Sequence, residues 1–401
     1  MKAPLEGVRV VELASFVAAP AAGALLADLG AEVVKVEVPW GELYRHGNAR
    51  MMGIDAEFAG SAPFQMDNHG KRSLALDLAL PEAQRALAQV VARADVLLTN
   101  VLPARLARYG LAPEQLVAEH PMLIVARLSG YGADGPEADT PAFDYTAYWA
   151  RSGLMEQLRE IGQAPSFQRP GMGDHSASLA LALGVVAALR ARDREGRGQI
   201  VDVALQDVGY YVAGNDMAWA LATGQSPPRH DRRKPRNPLW NHYPCRDGRS
   251  LFLVMIEADR YWPIFVQAIG RPELAQDERF ADAFARYRNS SELVTLLDAV
   301  FGEHDLDEWG RRLDRYRLIW APVRSHAEAG HDATALARGV FPELDHPELG
   351  RFRTVGAPLR LSAHAMRYER PAPRLGADTA AVLAEAGVDD ETIALLVAAS
   401  S

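Results

Sequence analysis

The first two hundred residues alternate short apolar runs with amphipathic segments. Runs rich in Val, Leu and Ile are typical of parallel strands, which are buried on both faces. Such runs predict strands within residues 8–14, 31–37, 73–78, 95–100, 122–131 and 196–205. Helical patterns predict helices over residues 20–30, 81–94, 113–120, 176–192 and 206–222. This alternation predicts an α/β fold, with a Rossmann-like, mostly parallel sheet and helices on both faces.

The composition changes abruptly over residues 221–238, where Pro, Arg and Lys accumulate. We interpret this stretch as a hinge into a smaller α/β domain. Its predicted elements are a strand at 251–256 and helices near 259–269, 291–303 and 307–315. The sequence therefore predicts a large domain that begins with residues 1–222, a small domain over 223–329, and a C-terminal segment, 330–401, that returns to the large domain.

Composition and charge narrow the range of partners. The chain has 401 residues, of which 48% are hydrophobic and 24% charged, and its net charge is -9. An acidic chain is not expected to bind nucleic acid or an anionic membrane. The N-terminus lacks a signal-peptide pattern, and the apolar stretch 177–189 is too short for a membrane span. With a single cysteine, Cys245, the chain is expected to be cytoplasmic and to have no membrane partner.

Motifs for several familiar chemistries are missing from the sequence. There is no HExxH, no GxSxG, no GxGxxG after the first strand and no GxxxxGK[ST]. These absences argue against a common zinc site, a serine hydrolase, and a dinucleotide or P-loop site. Ligands of parallel α/β sheets bind beyond the carboxyl ends of the strands, which here are the segments 15–20, 100–103 and 129–132. Arg105 and Arg108 follow the second of these segments and are candidates for phosphate contacts.

Asp174 lies where the pattern RPGMGDHSAS passes from a glycine-rich turn into a helix. The positive end of the helix dipole is expected to keep this carboxylate ionised, and therefore nucleophilic. From the local sequence alone, an aspartate that only caps the helix is the favoured interpretation, and the rest of the chain reverses this preference. The neighbouring His175 is a weaker candidate for a base, and amides of the turn 171–173 are candidates for stabilising an oxyanion.

Several segments together resemble the class III CoA-transferases, the CaiB–BaiF family, over almost the whole chain. They are GVRVVELASFVAAPAAGALLADLGAEVVKVE, NHGKRSLALDL, DVLLTNVLPARLARYGL, ARLSGYGADGP, FDY, GDHSAS, GRGQIVDVALQD and PAPRLGADT. The resemblance implies an interlocked homodimer with a large Rossmann-type domain and a small domain. It also implies that Asp174 is the catalytic nucleophile, and that the protein moves CoA between carboxylic acids.

The substrates implied by the resemblance are an acyl-CoA donor and a carboxylic-acid acceptor, with no metal and no tightly bound cofactor. Asp174 would form a mixed anhydride and then an aspartyl-CoA thioester. The positions that match CoA-binding residues of relatives are Val17, Ala18, Leu76, Asn100, Val101, Arg108, Gly130 and Tyr131. The glycine-rich loop that covers the site in formyl-CoA transferase is absent, and RKPRNPLWNHYP occupies that region.

Three other functions are alternatives to CoA transfer between two acids. The family's α-methylacyl-CoA racemases use a histidine at the position of Phe143, and phenylalanine cannot accept a proton. Racemisation is therefore disfavoured. Intramolecular CoA transfer between two carboxyls of one diacid stays open, because the same aspartate could perform it. A noncatalytic CoA-binding subunit also stays open, although the presence of Asp174 argues against it.

Overall fold

The structure is a computed structural model that describes residues 2–56, 58, 60–368 and 370–400. The chain forms two compact units. The first comprises Met1–Gln157, Ser166–Pro227 and Ala333–Ser401, and the second comprises Leu158–Pro165 and Pro228–Asp332. Residues 158–165 thus cluster with the second unit, although they precede the last part of the first unit's sheet along the chain.

A six-stranded sheet is the centre of the first unit. Its strands are β1 (Arg9–Leu13), β2 (Glu32–Glu37), β3 (Arg72–Ala75), β4 (Val96–Thr99), β5 (Ile124–Ser129) and β6 (Ile200–Ala204). They are ordered β3-β2-β1-β4-β5-β6, and every neighbouring pair is parallel. The order reverses between β1 and β4, where such sheets bind ligands beyond the strand ends. The predicted α/β fold with a parallel sheet is confirmed.

Alternate side chains of each strand enter two separate cores. On β1, Val10 belongs to a core with the helices Ala18–Asp28 and Met172–Glu195. The next residue, Val11, belongs to a core on the opposite face, together with residues of the helix Pro81–Val91. This two-sided burial explains why the strands are continuous apolar runs in the sequence.

The helices of the first unit differ in detail from the prediction. Their bounds are Ala18–Asp28, Ala62–Asn68, Pro81–Val91, Pro103–Arg108, Pro113–Glu119, Leu154–Gln157, Met172–Glu195, Leu205–Val212, Gly214–Thr223, Ala333–Ala337, Thr379–Ala386 and Asp390–Ala399. Short 3₁₀ helices, Leu43–His46 and Arg50–Met52, and a π-helix, Tyr145–Ala150, complete the set. The single helix predicted over 206–222 is interrupted at Ala213, and two helices result.

The helix Met172–Glu195, called here the Asp174 helix, begins four residues earlier than predicted. By length and composition it could cross a membrane, so the argument that its apolar stretch is too short is wrong. Its packing in the sheet's core accounts for that composition, since Ala177, Leu181 and Val185 are buried there. The Ala, Gly and Ser residues on nearly every side of this helix predict from the sequence that it is buried with close backbone packing, and this prediction is also wrong. Leu183 on the opposite face is 71% exposed.

The second unit has its own sheet and core. Three antiparallel strands, Trp240–Pro244, Ser250–Val254 and Trp320–Val323, pair in that order. Its helices are Ala258–Ala268, Ala283–Arg288, Ser290–Phe301, Leu306–Arg315 and His326–Ala329, with 3₁₀ helices Pro272–Gln276 and Glu278–Phe280. Large aromatic side chains, among them Phe265, Phe301 and Trp309, fill the core.

The last seventy residues complete the first unit. A hairpin pairs Glu343–His346 with Gly350–Arg353. The helices Thr379–Ala386 and Asp390–Ala399 then pack against the helix Pro81–Val91. Val382, Leu383 and Leu396 lie in the same core as Val11, so this segment covers one face of the sheet.

Candidate active site

A glycine in the left-handed backbone conformation precedes the Asp174 helix, and the carboxylate of Asp174 lies in the first turn of that helix. Gly171 precedes the helix with φ 83°, a conformation that favours glycine, and its N–H donates to Asp144 Oδ2 at 3.0 Å. Gly173 is required for space, because a Cβ there would lie 2.5 Å from Tyr148 Cγ. Asp174 is therefore the third helical residue and not the residue that caps the helix. Among the described residues, the carboxylate of Asp174 accepts no hydrogen bond from the free backbone N–H groups at the start of the helix.

The charge state of Asp174 differs from the expectation. Burial, together with the charges of Asp144 and Asp67, raises the pKa of this carboxyl group to about 7, although the charge of His175 lowers it in part. The helix dipole alone does not keep the group ionised, because burial and two other carboxylates oppose it. Near pH 7 the neutral and ionised forms are comparable in population. When ionised, this carboxylate is more basic than an exposed one, which favours nucleophilic attack.

Asp144 holds the turn that precedes the Asp174 helix. Its carboxylate accepts a hydrogen bond from the N–H group of Gly171. The Gly171 amide is therefore occupied, and the hypothesis that amides of this turn stabilise an oxyanion is wrong for that residue. Burial raises the pKa of Asp144, although the hydrogen bond from the Gly171 amide lowers it in part. The arrangement brings a second carboxyl group into the electrostatic surroundings of Asp174.

Most of the predicted CoA-binding residues lie at the carboxyl ends of the parallel strands. Val17 and Ala18 follow β1, and the Val17 side chain lies beside Gly171, 3.7 Å from where a Cβ on that glycine would stand. Asn100 follows β4 and exchanges two hydrogen bonds with the backbone of Ser15, at 3.1 and 2.8 Å. This end of β1 is thereby fixed to the end of β4.

The other predicted CoA-binding residues are placed less uniformly. Val101 donates its N–H to Thr99 Oγ1. The Tyr131 ring stacks under the Arg151 guanidinium, whose carbon lies 4.9 Å from the ring centroid. Gly130 is packed so closely that a Cβ would lie 2.3 Å from Ala142 Cβ. Leu76 is 0% exposed within the core, so neither its side chain nor its backbone is accessible to a ligand in this structure. Arg108 is exposed at the end of the helix Pro103–Arg108.

The structure contains a network of buried charged side chains near the site that was not predicted from the sequence. Lys35 Nζ lies 3.1 Å from Glu12 Oε1 and 2.7 Å from Glu42 Oε1, and Lys71 Nζ lies 2.7 Å from Glu12 Oε2. The side chains of Glu12, Lys35 and Lys71 are all 0% exposed. The only signal in the sequence is a charge within each apolar strand pattern, as in VVELA and VVKVE.

The network fixes the backbone at the end of β1. Glu42 Oε2 accepts the N–H of Phe16, a residue that adopts a left-handed conformation with φ 64°. A non-glycine residue in this region is strained, and its surroundings must hold it there. The Phe16 ring meets the exposed Phe143 edge-on, with centroids 5.5 Å apart. The buried charges therefore position the segment between β1 and the helix Ala18–Asp28.

His175 is held by a side chain that the sequence prediction missed. Its Nε2 lies 2.9 Å from Oδ1 of Asp67, a residue of the helix Ala62–Asn68. Tyr44 donates its hydroxyl to Oδ2 of the same carboxylate at 3.3 Å. Asp67 stands 107 positions before Asp174 in the chain, so no local pattern could have linked it to this site.

Two further features bear on ligands. A cavity of about 660 Å³ lies along residues 338–368, and Asp174 is not among the residues that line it. In the part of the chain that the structure describes, no three His, Cys, Asp or Glu side chains are grouped as a metal site. The features that carry chemistry are thus the half-buried Asp174 and the edge of the sheet beside it.

The fold and the site define an α/β enzyme of the Rossmann-like class, with a carboxyl group at the ligand-binding edge of its sheet. The sequence model of CoA-transferase family III matches residues 5–379. The chain belongs to this family, and it is a class III CoA-transferase.

Curated relatives and solved structures agree with this assignment. The chain is 32% identical over 391 residues to the (R)-2-hydroxy-4-methylpentanoate CoA-transferase of Clostridioides difficile, covering 97% of both chains. It is 30% identical to the cinnamoyl-CoA:phenyllactate CoA-transferase of Clostridium sporogenes, over 96% of this chain and 94% of that one. A crystal structure of a CAIB/BAIF family protein from Brucella suis superposes with a TM-score of 0.86 at 30% identity, covering 96% of this chain and 100% of that one.

Proposed function

We propose that the protein transfers CoA from an acyl-CoA donor to a carboxylic-acid acceptor through covalent intermediates on Asp174. The observation that carries this proposal is the half-buried Asp174 carboxyl, with its pKa raised to about 7, beside the strand ends at which we propose the CoA-binding positions. The names of the relatives, which are transferases of CoA among carboxylic acids, support the same chemistry.

The proposed reaction consists of four successive nucleophilic attacks. The Asp174 carboxylate attacks the donor thioester carbonyl, which forms a mixed anhydride and releases CoA thiolate. The thiolate attacks the Asp174 carbonyl of the anhydride, which forms an aspartyl-CoA thioester and releases the donor acid. The acceptor carboxylate attacks that thioester, which forms a second anhydride and releases CoA thiolate. CoA thiolate finally attacks the acceptor carbonyl, which gives the new acyl-CoA and restores Asp174.

The surroundings of Asp174 suit the first attack. Binding of an acyl-CoA beside a half-buried carboxyl removes water that would hydrolyse either anhydride. For CoA itself we propose backbone contacts at Val17 and Ala18 and side-chain contacts from Asn100 and Tyr131. The fully buried Leu76 would support this edge of the sheet from the core. Val101 and Gly130 line the same strand ends, and the exposed Arg108 guanidinium is placed to meet a phosphate.

We further propose that the working form is an interlocked homodimer. On the Asp174 helix, Leu179, Leu183 and Val186 are exposed on one face, separated by spacings of four and three residues. Such an apolar stripe on a helix that begins at the nucleophile is suited to cover by a second copy. Size measurement by light scattering tests this: a mass near twice 43.8 kDa is expected, and a monomer contradicts it.

Product analysis tests intermolecular transfer. The protein is incubated with a panel of acyl-CoA esters, each with and without a free carboxylic acid, and the products are identified by mass spectrometry. We expect new acyl-CoA only when an acceptor acid is present. Rearrangement of a diacid's CoA ester without an added acid would instead indicate intramolecular transfer. Absence of any exchange across the panel, in a protein that binds CoA, would indicate a noncatalytic subunit.

The racemase alternative is not favoured by the site. Phe143 stands where the racemases of this family carry a histidine, and its ring packs edge-on against Phe16. Removal of an α-proton on one face and its return on the other needs two bases. The exposed phenyl ring supplies none.

A further inference from the structure

Asp67 is a buried carboxylate with three anchors. It is 1% exposed and lies on the helix Ala62–Asn68. One carboxylate oxygen contacts His175 Nε2 at 2.9 Å, and the other accepts the Tyr44 hydroxyl at 3.3 Å. Its backbone carbonyl accepts from Lys71 Nζ at 2.8 Å, which ties this residue to the buried ionic network. The position of the carboxylate is therefore fixed before any substrate binds.

The imidazole of His175 is oriented by this carboxylate. Its ring lies over the turn that starts the Asp174 helix, with Cε1 3.5 Å from where a Cβ on Gly171 would stand. Because Nε2 is directed at Asp67, that nitrogen is not available to take a proton from a substrate. A histidine with a carboxylate partner is stabilised as the imidazolium. Burial lowers the pKa of His175, but the hydrogen bond and charge of Asp67, together with the charge of Asp174 and a backbone hydrogen bond at Gly171, leave this pKa raised.

The charges around Asp174 come from several elements. Asp144, from the segment before the π-helix, and Asp67 disfavour its ionised form, and His175 favours it. The charge of Asp174 also raises the pKa of the Tyr44 and Tyr145 phenols, so both side chains belong to its electrostatic surroundings. Two carboxylates thus oppose the negative charge that nucleophilic attack requires. The imidazolium of His175 acts in the other direction.

We propose that Asp67 and His175 form a positioning pair for the nucleophile, in which Asp67 holds an imidazolium beside Asp174 and so favours the ionised carboxylate. The proposal deepens the proposed function and rests on it, because it concerns the same nucleophile. His175 acts here through its charge on Asp174. This replaces the hypothesis that it is a base.

The pH dependence of kcat/KM tests the pair. Wild type, His175→Gln and His175→Lys are compared from pH 5 to 9 with one donor and one acceptor. The acid limb is the low-pH side of the kcat/KM profile, where activity rises as Asp174 ionises. Loss of the cation in His175→Gln should shift this limb to higher pH by about one unit. That shift is about a tenfold loss of kcat/KM at pH 6 and little change at pH 9. His175→Lys keeps a positive charge and should return the limb towards its wild-type position. An unmoved limb in His175→Gln, or a lysine variant that matches the glutamine variant, overturns the proposal.

A second Asp–His pair in the same unit supplies the matched control. His69 Nε2 lies 2.7 Å from Asp28 Oδ1, both side chains are buried, and neither contributes to the electrostatic surroundings of Asp174. His69→Gln should leave the acid limb in place. A limb that moves equally in His69→Gln would show a general effect of losing a buried pair and would overturn the assignment to His175.

The role of Asp67 has its own measurement. In protein labelled with ¹³C-histidine, the His175 resonance, identified by its absence in His175→Gln, is titrated in wild type and Asp67→Asn. The His175 pKa should fall on loss of the carboxylate, and an unchanged titration would overturn the role of Asp67. Trapping of the acyl group on Asp174 at pH 9 separates the two proposals. No trapping in wild type refutes the nucleophile, whereas trapping with an unmoved limb refutes only the pair.

Discussion

Asp174→Asn is expected to abolish CoA transfer and, at pH 8, to make the protein more resistant to unfolding. The amide cannot attack a thioester, so turnover should fall by at least about 10⁴-fold, as for other enzymes that lose their nucleophile. The same change removes a carboxyl group whose pKa is raised to about 7 from an ordinary value of 3.8. A group of this kind opposes folding once it must be charged.

The sign of the stability change follows from the bound proton. Between pH 3.8 and about 7 the folded wild type keeps the proton on Asp174 that the unfolded chain loses, so its stability falls as the pH rises. The advantage of Asp174→Asn should therefore grow across this range and stay constant above it. Its upper limit is about 4 kcal/mol, since each pH unit is worth about 1.4 kcal/mol, and partial exposure reduces it.

Thermal unfolding of wild type and Asp174→Asn from pH 4 to 9, with turnover measured on the same samples, checks both parts. Asp174→Ala, which should also lose turnover while the dimer persists, controls for the effect of the new amide. A variant that keeps turnover would contradict the mechanism. A variant that is inactive but less stable than wild type at pH 8 would contradict the electrostatic account.

Lys35→Met is expected to destabilise the first unit strongly. Lys35 is fully buried between Glu12 and Glu42, and burial is outweighed by these carboxylates and Glu37, so that its pKa is raised. Removing the cation leaves the Glu42 carboxylate without its lysine partner and Glu12 with Lys71 alone, and breaking a buried ion pair in this way typically costs about 3–5 kcal/mol. The melting temperature should fall by several degrees. Because Glu42 holds the N–H of Phe16, KM for acyl-CoA should rise as well.

Lys2→Met makes the same chemical change on an exposed side chain of the same unit and serves as the control. It should leave both the melting temperature and KM unchanged. If Lys35→Met behaved like Lys2→Met, the buried network would not be what holds the end of β1.

Much of the fold could be predicted from the sequence because its elements follow local patterns. The parallel strands are apolar runs in the sequence. Because these runs follow one another at short intervals, the helices must lie in the segments that connect them. The helix break at Ala213 could not be predicted, since the amphipathic pattern continues across it. The exposed Leu183 could not be predicted either, because an apolar residue in a core helix is normally buried.

The site was predictable only where its residues are contiguous or belong to a family motif. Asp174 stands out in a glycine-rich turn before a helix. Its pKa depends on Asp144 and Asp67, which approach it from other parts of the chain. Glu12 and Lys35 occupy strand positions that alternation assigns to the core, and only their pairing in space explains how charges are buried there.

The central claim, that Asp174 becomes acylated, is tested most directly by chemical trapping. The protein is incubated with an acyl-CoA substrate identified in the panel and hydroxylamine, then digested and mapped by mass spectrometry. Hydroxylamine attacks anhydrides and thioesters, so a hydroxamate should form on Asp174, only when acyl-CoA is present and not in Asp174→Asn. An unmodified Asp174 in protein that is turning over would contradict the covalent mechanism.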